Sequence, residues 1–351
     1  MSEFSNAFGT AKMQRLLTVS FAPVTFIHST LFRETNKTNN QFIVVDKEVR
    51  GRYLAAFASP LHKGVPVEKK GYFTDVFKPA YIKESKLSNA YDLLQNRQAG
   101  EDPYKPVKSA RALAMAEMGK DITILDERYR RRLEYMCCQT ILTGKVKAQG
   151  RGIDLQYDFQ LPAENIWYVG SDPGISKSWT DISADILTDI ENAGEVVKKN
   201  TGKIPNLVVL GRNIWKYVRK NDQILELLDN RRVDGNVINL DLLPKSVKVL
   251  GEIGGYNFVQ YVEHYQDEDD NFHEMFDPDS VLITSTDLRA SMEYGAIVDL
   301  DYASNQPAEK FVKSWREMDP SGQIVLLQSS PICVHHEMNG VMVLNPTKPA
   351  P

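Results

Sequence analysis

Three cysteines in 351 residues, none of them in a Cys-x-x-Cys pair, supply neither a disulfide framework nor a cysteine-based zinc site. Cys137 and Cys138 are adjacent and read as helix residues, at least one of them in the core, where packing is favoured over bridging. Long apolar runs are missing as well, and the start "MSEFSNAFGTAKMQRLL" lacks the basic-then-apolar order of an export signal. The chain is therefore expected to fold and stay in a cytoplasm. Charge of one sign is scarce: the net charge is −4, and the only dense basic run is Arg130, Arg131 and Arg132. Sequence-independent nucleic-acid binding draws its free energy from clustered cations that release phosphate counterions, so nucleic acid is not the expected direct ligand. No internal repeat occurs, and no low-complexity tract beyond the tail "PTKPAP".

Motifs that carry chemistry are absent in the same way. No Gly-x-x-x-x-Gly-Lys-Ser/Thr loop occurs, and "GEIGGY" at 251–256 leads into strand-like residues, not into the helix that a dinucleotide phosphate needs, so it reads as a turn. "QDEDDNFHEMFDPD" at 266–279 starts like a calcium loop. Taking Asp267 as first ligand puts Phe272 where the loop needs glycine and Pro278 where it needs a bidentate glutamate, which leaves an acidic hairpin end. Ser329, Ser330, Cys333, His335 and His336 stand close together, but no Gly-x-Ser-x-Gly elbow surrounds either serine. On an extended strand the two histidines point to opposite faces and cannot hold one ion. No catalytic, cofactor or metal residues are expected.

What is present is the composition of an ordinary globular protein, 42% hydrophobic and 25% charged, long enough for two or more subdomains. Residues 1–40 lack sustained periodicity and read as an arm. Strand-like runs at Gln41–Val45, Arg52–Ala58 and Tyr72–Ile82 flank a middle containing Pro60, Lys63, Gly64, Lys69, Lys70 and Gly71. They predict a long two-stranded finger over 41–84 with a cationic tip, marginal by itself and so lying on something else. From Pro106 to Thr143, Leu125, Tyr129, Leu133, Met136 and Thr140 recur at helical spacing, and Asp126 with Arg130 and Glu127 with Arg131 form i,i+4 pairs on the side expected to be exposed. Gly119 is expected to break this stretch in two, and Gly144 to end it. The arginine trio, interleaved with acids, reads as a solvated or subunit-facing helix face rather than a phosphate site.

"KVKAQGRGIDLQYDFQLP" predicts a hairpin with Gly150 and Gly152 at its turn. Residues 179–300 predict a compact α/β unit: a helix capped near Asp181 with Ile182, Ile186, Ile190, Ala193 and Val197 on one face, then the buried-looking strand "NLVVL", a helical stretch, and further strands. Ile324–Leu327 and Ile332–Val334, interrupted by Pro331, predict a bent strand near a sheet edge, and Asn339-Gly340 signals a hairpin.

Five segments in this order carry a resemblance: "ASPLHKGVPVEKKGYFTDVFKPAYIKES", "RYRRRLEYMCCQTILTGKV", "MFDPDSVLI", "RASMEYGAI" and "FVKSWREMDPSGQIVLLQSSPICV". Over about residues 40–345 the chain resembles the lambda-type major capsid proteins of tailed double-stranded DNA bacteriophages. The resemblance implies an α+β fold of the Hong Kong 97 type with an N-terminal arm (1–40), an E-loop (41–84), a peripheral domain with its spine helix (85–178 and 301–351) and an axial domain (179–300). It implies a non-enzymatic subunit of the virion that forms pentamers and hexamers of an icosahedral shell, assembled in the host cytoplasm. Its implied partners are copies of itself, a separate scaffolding protein, a maturation protease, a portal and a decoration protein. The shell would enclose DNA without sequence-specific binding and without a membrane. Lys63, Gly64, Lys69, Lys70 and Tyr72 would be intersubunit contacts of the E-loop, and Arg130, Arg131 and Arg132 would lie on the spine helix. The lysines invite a covalent Lys–Asn crosslink, but the lambda-like group does not crosslink, and ionic contact with an acidic neighbour is the expectation. A tail-tube or other ring-forming phage protein, or an enzyme built on 179–300, are the alternatives.

Overall fold

A computed structural model describes residues 25–48, 72–89, 110–221, 224, 247–302, 307–319 and 321–350. In chain order, helix α1 (Phe26–Leu31) is followed by strands β1 (Glu34–Lys37), β2 (Ile43–Glu48), β3 (Tyr72–Phe77) and β4 (Ile82–Asn89). The long helix α2 (Ala110–Thr143) leads into the pair β5 (Lys145–Gly150) and β6 (Ile153–Asp158), then β7 (Ile166–Val169). Helix α3 (Ile186–Thr201), β8 (Leu207–Leu210), the single turn α4 (Trp215–Val218), β9 (Val247–Ile253), β10 (Tyr256–Tyr261), β11 (His264–Gln266), β12 (Phe272–Glu274) and β13 (Val281–Thr284) follow. The chain closes with β14 (Ala290–Tyr294), β15 (Phe311–Glu317), β16 (Gly322–Ser329), β17 (Pro331–His335) and β18 (Val341–Pro349).

Helix α2 buries the predicted stripe of Leu125, Tyr129, Leu133, Met136 and Thr140. It runs through Gly119 unbroken. A mid-helix glycine costs only about 1 kcal/mol against alanine, and buried Met118 and Ile122 hold the helix on either side of it. Gly144 ends the helix in a left-handed conformation, φ 67°, where a Cβ would lie 2.4 Å from that of Leu161. The cap of α3 lies four residues beyond its expected place. Asp185 accepts from the Thr188 amide at 3.2 Å, whereas Asp181 closes a separate turn onto Ser183 and leaves Ile182 exposed. A spacing of four from Ile182 to Ile186 mimics helical periodicity, but the first of the two lies in that turn.

The largest sheet runs β7-β18-β13-β8-β10-β9. Its central strands read as continuous apolar runs because both faces are covered. Leu207 and Val209 of β8, Leu282 of β13 and Val341 and Val343 of β18 pack into one core with α2. Their alternating neighbours Val208 and Leu210, Val281 and Ile283, and Met342 and Leu344 pack into a second core with α3, Trp167 and Trp179. The turn between β9 and β10 uses Gly254 and Gly255, both at positive φ (62° and 86°), as the "GEIGGY" reading requires. Hairpins β5–β6 and β11–β12 form where expected.

Two readings of the C-terminal region change. Strand β16 has neighbours on both sides, β15 and β4, and the chain breaks at Ser330 so that β17 enters a different sheet as its edge strand beside β14. Asn339-Gly340 does not turn a hairpin either: a single 3-10 turn, Met338–Gly340, passes the chain from β17 into β18 of the central sheet. Contacts distant in sequence override the local signal there. The Thr284 hydroxyl donates to the Gly340 carbonyl at 2.9 Å, and Lys203 pairs with Glu337 at 2.7 Å. The segments flanking the 179–300 unit are each divided by the topology: β5–β6 and β15–β16 lie outside the central sheet, while β7 and β18 hydrogen-bond into it.

Candidate interface surfaces

Strands β2 and β3 form an antiparallel ribbon from Ile43↔Phe77 to Glu48↔Tyr72. The period of two gives the ribbon opposed faces. Ile43 and Val45 are buried, and Phe77 packs on Tyr157 and Phe159, with ring centroids 6.3 and 5.2 Å away. On the other face Val44 and Val76 are directly opposite each other and 60% and 58% exposed, with Phe42 exposed beside them. These apolar side chains, paired across two strands, form an exposed apolar strip on the ribbon. Among the expected contact residues, Tyr72 opens β3 opposite Glu48. Lys63, Gly64, Lys69 and Lys70 lie outside the described residues.

A second outward face lies on the sheet β15-β16-β4, where Leu87, Ile324 and Trp315 stand side by side across the three strands. Leu87 and Trp315 are exposed, and Met318 beyond β15 is almost fully so. The opposite face of β4 meets the long helix. Glu84 pairs with Arg128 at 2.9 Å, and Lys86 pairs with the buried Asp121 at 2.7 Å.

The arginine trio does not converge on one site, because consecutive helix residues point about 100° apart. Arg130 turns inward to Asp126 at 2.8 Å. Asp126, expected on the exposed side, is fully buried and pairs with Lys310 as well, so the i,i+4 pair is part of the core boundary. Arg131 pairs with Glu127 at 3.3 Å on the surface. Arg132 lies 5.9 Å from the Tyr135 ring centre, and Tyr135 stacks edgewise on Tyr265. Together with Arg128, Phe272 and His264 these groups line an open groove of about 520 Å³ between the long helix and the β11–β12 hairpin.

The C-terminal serines and histidines are structural in their contacts. The Ser329 hydroxyl donates to the Glu309 carbonyl and touches the Tyr129 hydroxyl at 3.2 Å. His335 is fully buried, and among the described residues neither ring nitrogen has a partner. Burial, aided by neighbouring His336, pushes its pKa down to about 3, so the ring is neutral. His336 faces outward and meets the Ser291 hydroxyl at 2.8 Å, a serine–histidine contact the sequence pattern did not show. Ser291 is itself buried and donates its proton to Glu293 at 2.6 Å, so that proton is directed to the carboxylate and not to the imidazole a nucleophile's base would be. Among the described residues no cluster of three histidine, cysteine or acidic groups is arranged for a metal, and no helix is long and apolar enough to cross a membrane.

Two buried constellations were not visible in the sequence. Glu134, inside α2, accepts the amides of Ile27 at 2.8 Å and His28 at 2.9 Å and the Tyr261 hydroxyl at 2.8 Å. Burial raises its pKa, opposed by these donors. Cys137 meets Cys333 of β17, with their sulfurs 3.2 Å apart. Both depend on contacts more than a hundred residues apart, which no local spacing encodes.

A family model described as phage major capsid protein E matches residues 9–344. The major capsid protein of Escherichia phage N15 is 24% identical over 312 residues, covering 86% of this chain and 88% of its own length. That of Escherichia phage lambda is 25% identical over 291 residues, covering 80% and 81%. A solved structure described as a prophage capsid protein of E. coli CFT073 superposes with a TM-score of 0.71 over 96% of this chain and 98% of its own, at 21% identity.

Proposed function

The chain belongs to the phage major capsid protein E family, as a shell subunit in the virion of a tailed double-stranded DNA phage with the α+β, Hong Kong 97-type fold, and from that premise we propose how it works. Copies of the chain associate into pentamers and hexamers that close into an icosahedral head. The observation that carries this is the β2–β3 ribbon, whose inner face is anchored on Phe159 while its outer face presents Val44 and Val76 to water. A neighbouring subunit covers that face, and the finger continuing from the ribbon, with Lys63, Gly64, Lys69, Lys70 and Tyr72, reaches across the boundary as the E-loop. Residues 179–300 act as the axial domain and the α2 region, with Arg130, Arg131 and Arg132, as the spine of the peripheral domain. The subunit performs no catalysis. A separate scaffolding protein, a maturation protease, a portal and a decoration protein complete assembly in the host cytoplasm. The mild negative charge of −4 suits a container through which DNA must slide without being gripped.

The test is the paired substitution Val44→Lys with Val76→Glu, which keeps an attractive cross-strand pair while abolishing the apolar face. The variant is expected to retain the circular dichroism and denaturation midpoint of the wild type, and to give no closed shells in electron micrographs where the wild type, co-expressed with its scaffold, does. Closed shells from the variant in normal yield would remove the ribbon from the interface. A wild type that stays monomeric with its scaffold would overturn the shell reading itself.

A further inference from the structure

The contact between Cys137 and Cys333 joins two elements that are 196 residues apart in sequence. Cys137 lies on the buried face of α2 and Cys333 in the middle of β17, directly opposite Met292 of β14. The sulfurs are 3.2 Å apart, with the Met292 sulfur 3.8 Å from Cys137 and the Leu133 carbonyl 4.0 Å from Cys333. A disulfide requires a separation of roughly 2 Å, so the two sulfurs stand about 1 Å beyond bonding distance. Cys138, one position further along the helix, points about 100° away.

We propose that Cys137 and Cys333 form a modification site: an internal disulfide that staples the long helix to the edge strand β17 when the folded chain meets a low-molecular-weight disulfide such as glutathione disulfide. The exchange balances in two steps. The Cys333 thiolate attacks one sulfur of glutathione disulfide, expelling a glutathione thiolate that takes up the cysteine's proton. The Cys137 thiolate then attacks the Cys333 sulfur, breaking the mixed disulfide and expelling a second glutathione, which takes up the second proton. Two protein thiols are oxidised and one external disulfide is reduced to two thiols.

The free thiols are stable in a reducing interior for a physical reason. Burial holds the Cys137 thiol well above its ordinary pKa and Cys333 beside it adds to the effect, so thiolate is scarce until the strand opens. Among the described residues strand β17 has a hydrogen-bonded neighbour on one side only, so its local opening offers the oxidant a way in. The bond lies within one subunit, so the proposal does not depend on how the shell assembles.

The experiment uses the folded full chain, incubated with glutathione disulfide, with a dithiothreitol control. Thiols are alkylated under denaturing conditions and the peptides mapped by mass. The expected result is one free cysteine of three, a crosslinked peptide joining the 137 and 333 segments, and a denaturation midpoint about 5 °C above the reduced chain. Cys138→Ala should keep the crosslink, and either Cys137→Ala or Cys333→Ala should abolish it. Three free thiols in the wild type after incubation, or a crosslink that survives Cys137→Ala by using Cys138, would overturn the assignment.

Discussion

Glu134 holds helix α1 in place from inside the long helix. Its carboxylate receives two backbone amides and a tyrosine hydroxyl at 2.8–2.9 Å. Glu134→Ala leaves all three donors without this partner, two of them buried, and the expected loss is about 3–5 kcal/mol, read from urea denaturation at unchanged m. Glu134→Gln keeps the shape and part of the acceptor capacity and should lose markedly less. His335 predicts a pH dependence. Its pKa falls to about 3 in the fold from the ordinary 6.5. As pH drops below 6.5 the unfolded chain takes up a proton that the folded chain refuses until about 3, so stability declines with falling pH across that window. The slope from this group is roughly 1.4 kcal/mol per pH unit. Because neither ring nitrogen is bonded among the described residues, His335→Leu should be neutral or slightly stabilising at pH 7 and should flatten the acid limb. His28 and His336, lowered mainly by burial, continue to contribute in the variant. Titration of the denaturation midpoint for both proteins checks this, and an unchanged slope would reject the buried neutral ring.

At the scale of the element, a glycine inside the long helix and the glycine that ends it should respond to alanine with opposite sign. Gly119 lies inside α2, with nothing within 4 Å of the position a Cβ would take. Alanine there should stabilise by about 0.5–1 kcal/mol through helix propensity and a less free unfolded chain. Gly144, at φ 67° and 2.4 Å from Leu161 Cβ once given a Cβ, should lose about 2–3 kcal/mol from left-handed strain plus the clash. Its carbonyl also accepts the Phe159 amide at 2.8 Å, so the strain falls on the junction between α2 and the β5–β6 hairpin. Thermal denaturation of the two variants beside the wild type separates them; the same sign for both would mean that the helix end is not set by Gly144.

For the whole molecule, the two cores on either side of the central sheet carry the fold without the finger's tip. Deleting residues 61–72 and joining the ends with two glycines should leave the circular dichroism of a folded chain and abolish regular shells in electron micrographs. Normal shells from that folded variant would withdraw residues 41–84 from the role of intersubunit arm. The deletion and the Val44→Lys, Val76→Glu pair probe different parts of one arm, so loss of shells in the deletion alone would place the contact at the tip.

Local physics was legible directly from the residues. The α2 stripe, the glycine turns at 150–152 and 254–255, the acidic β11–β12 hairpin end and the all-apolar β8 follow from side-chain periodicity and from glycine's backbone freedom, which act within a few residues. Ordered segments also carried the family resemblance, since what they share is order along the chain. Pairings between distant segments decided the rest. Asn339-Gly340 has the chemistry of a hairpin, yet β17 pairs with β14 and β18 with β13, in different sheets. Asp126 has the spacing of a surface pair, yet Lys310, 184 residues on, makes its burial tolerable. Cys137 meets Cys333, and Glu134 meets the Ile27 amide, only because the packed core brings separated segments together. A sequence states the preferences of neighbours along the chain; which remote group satisfies a buried carboxylate or adjoins a thiol is settled by close packing, where each buried group must find its partner among whatever the other elements present.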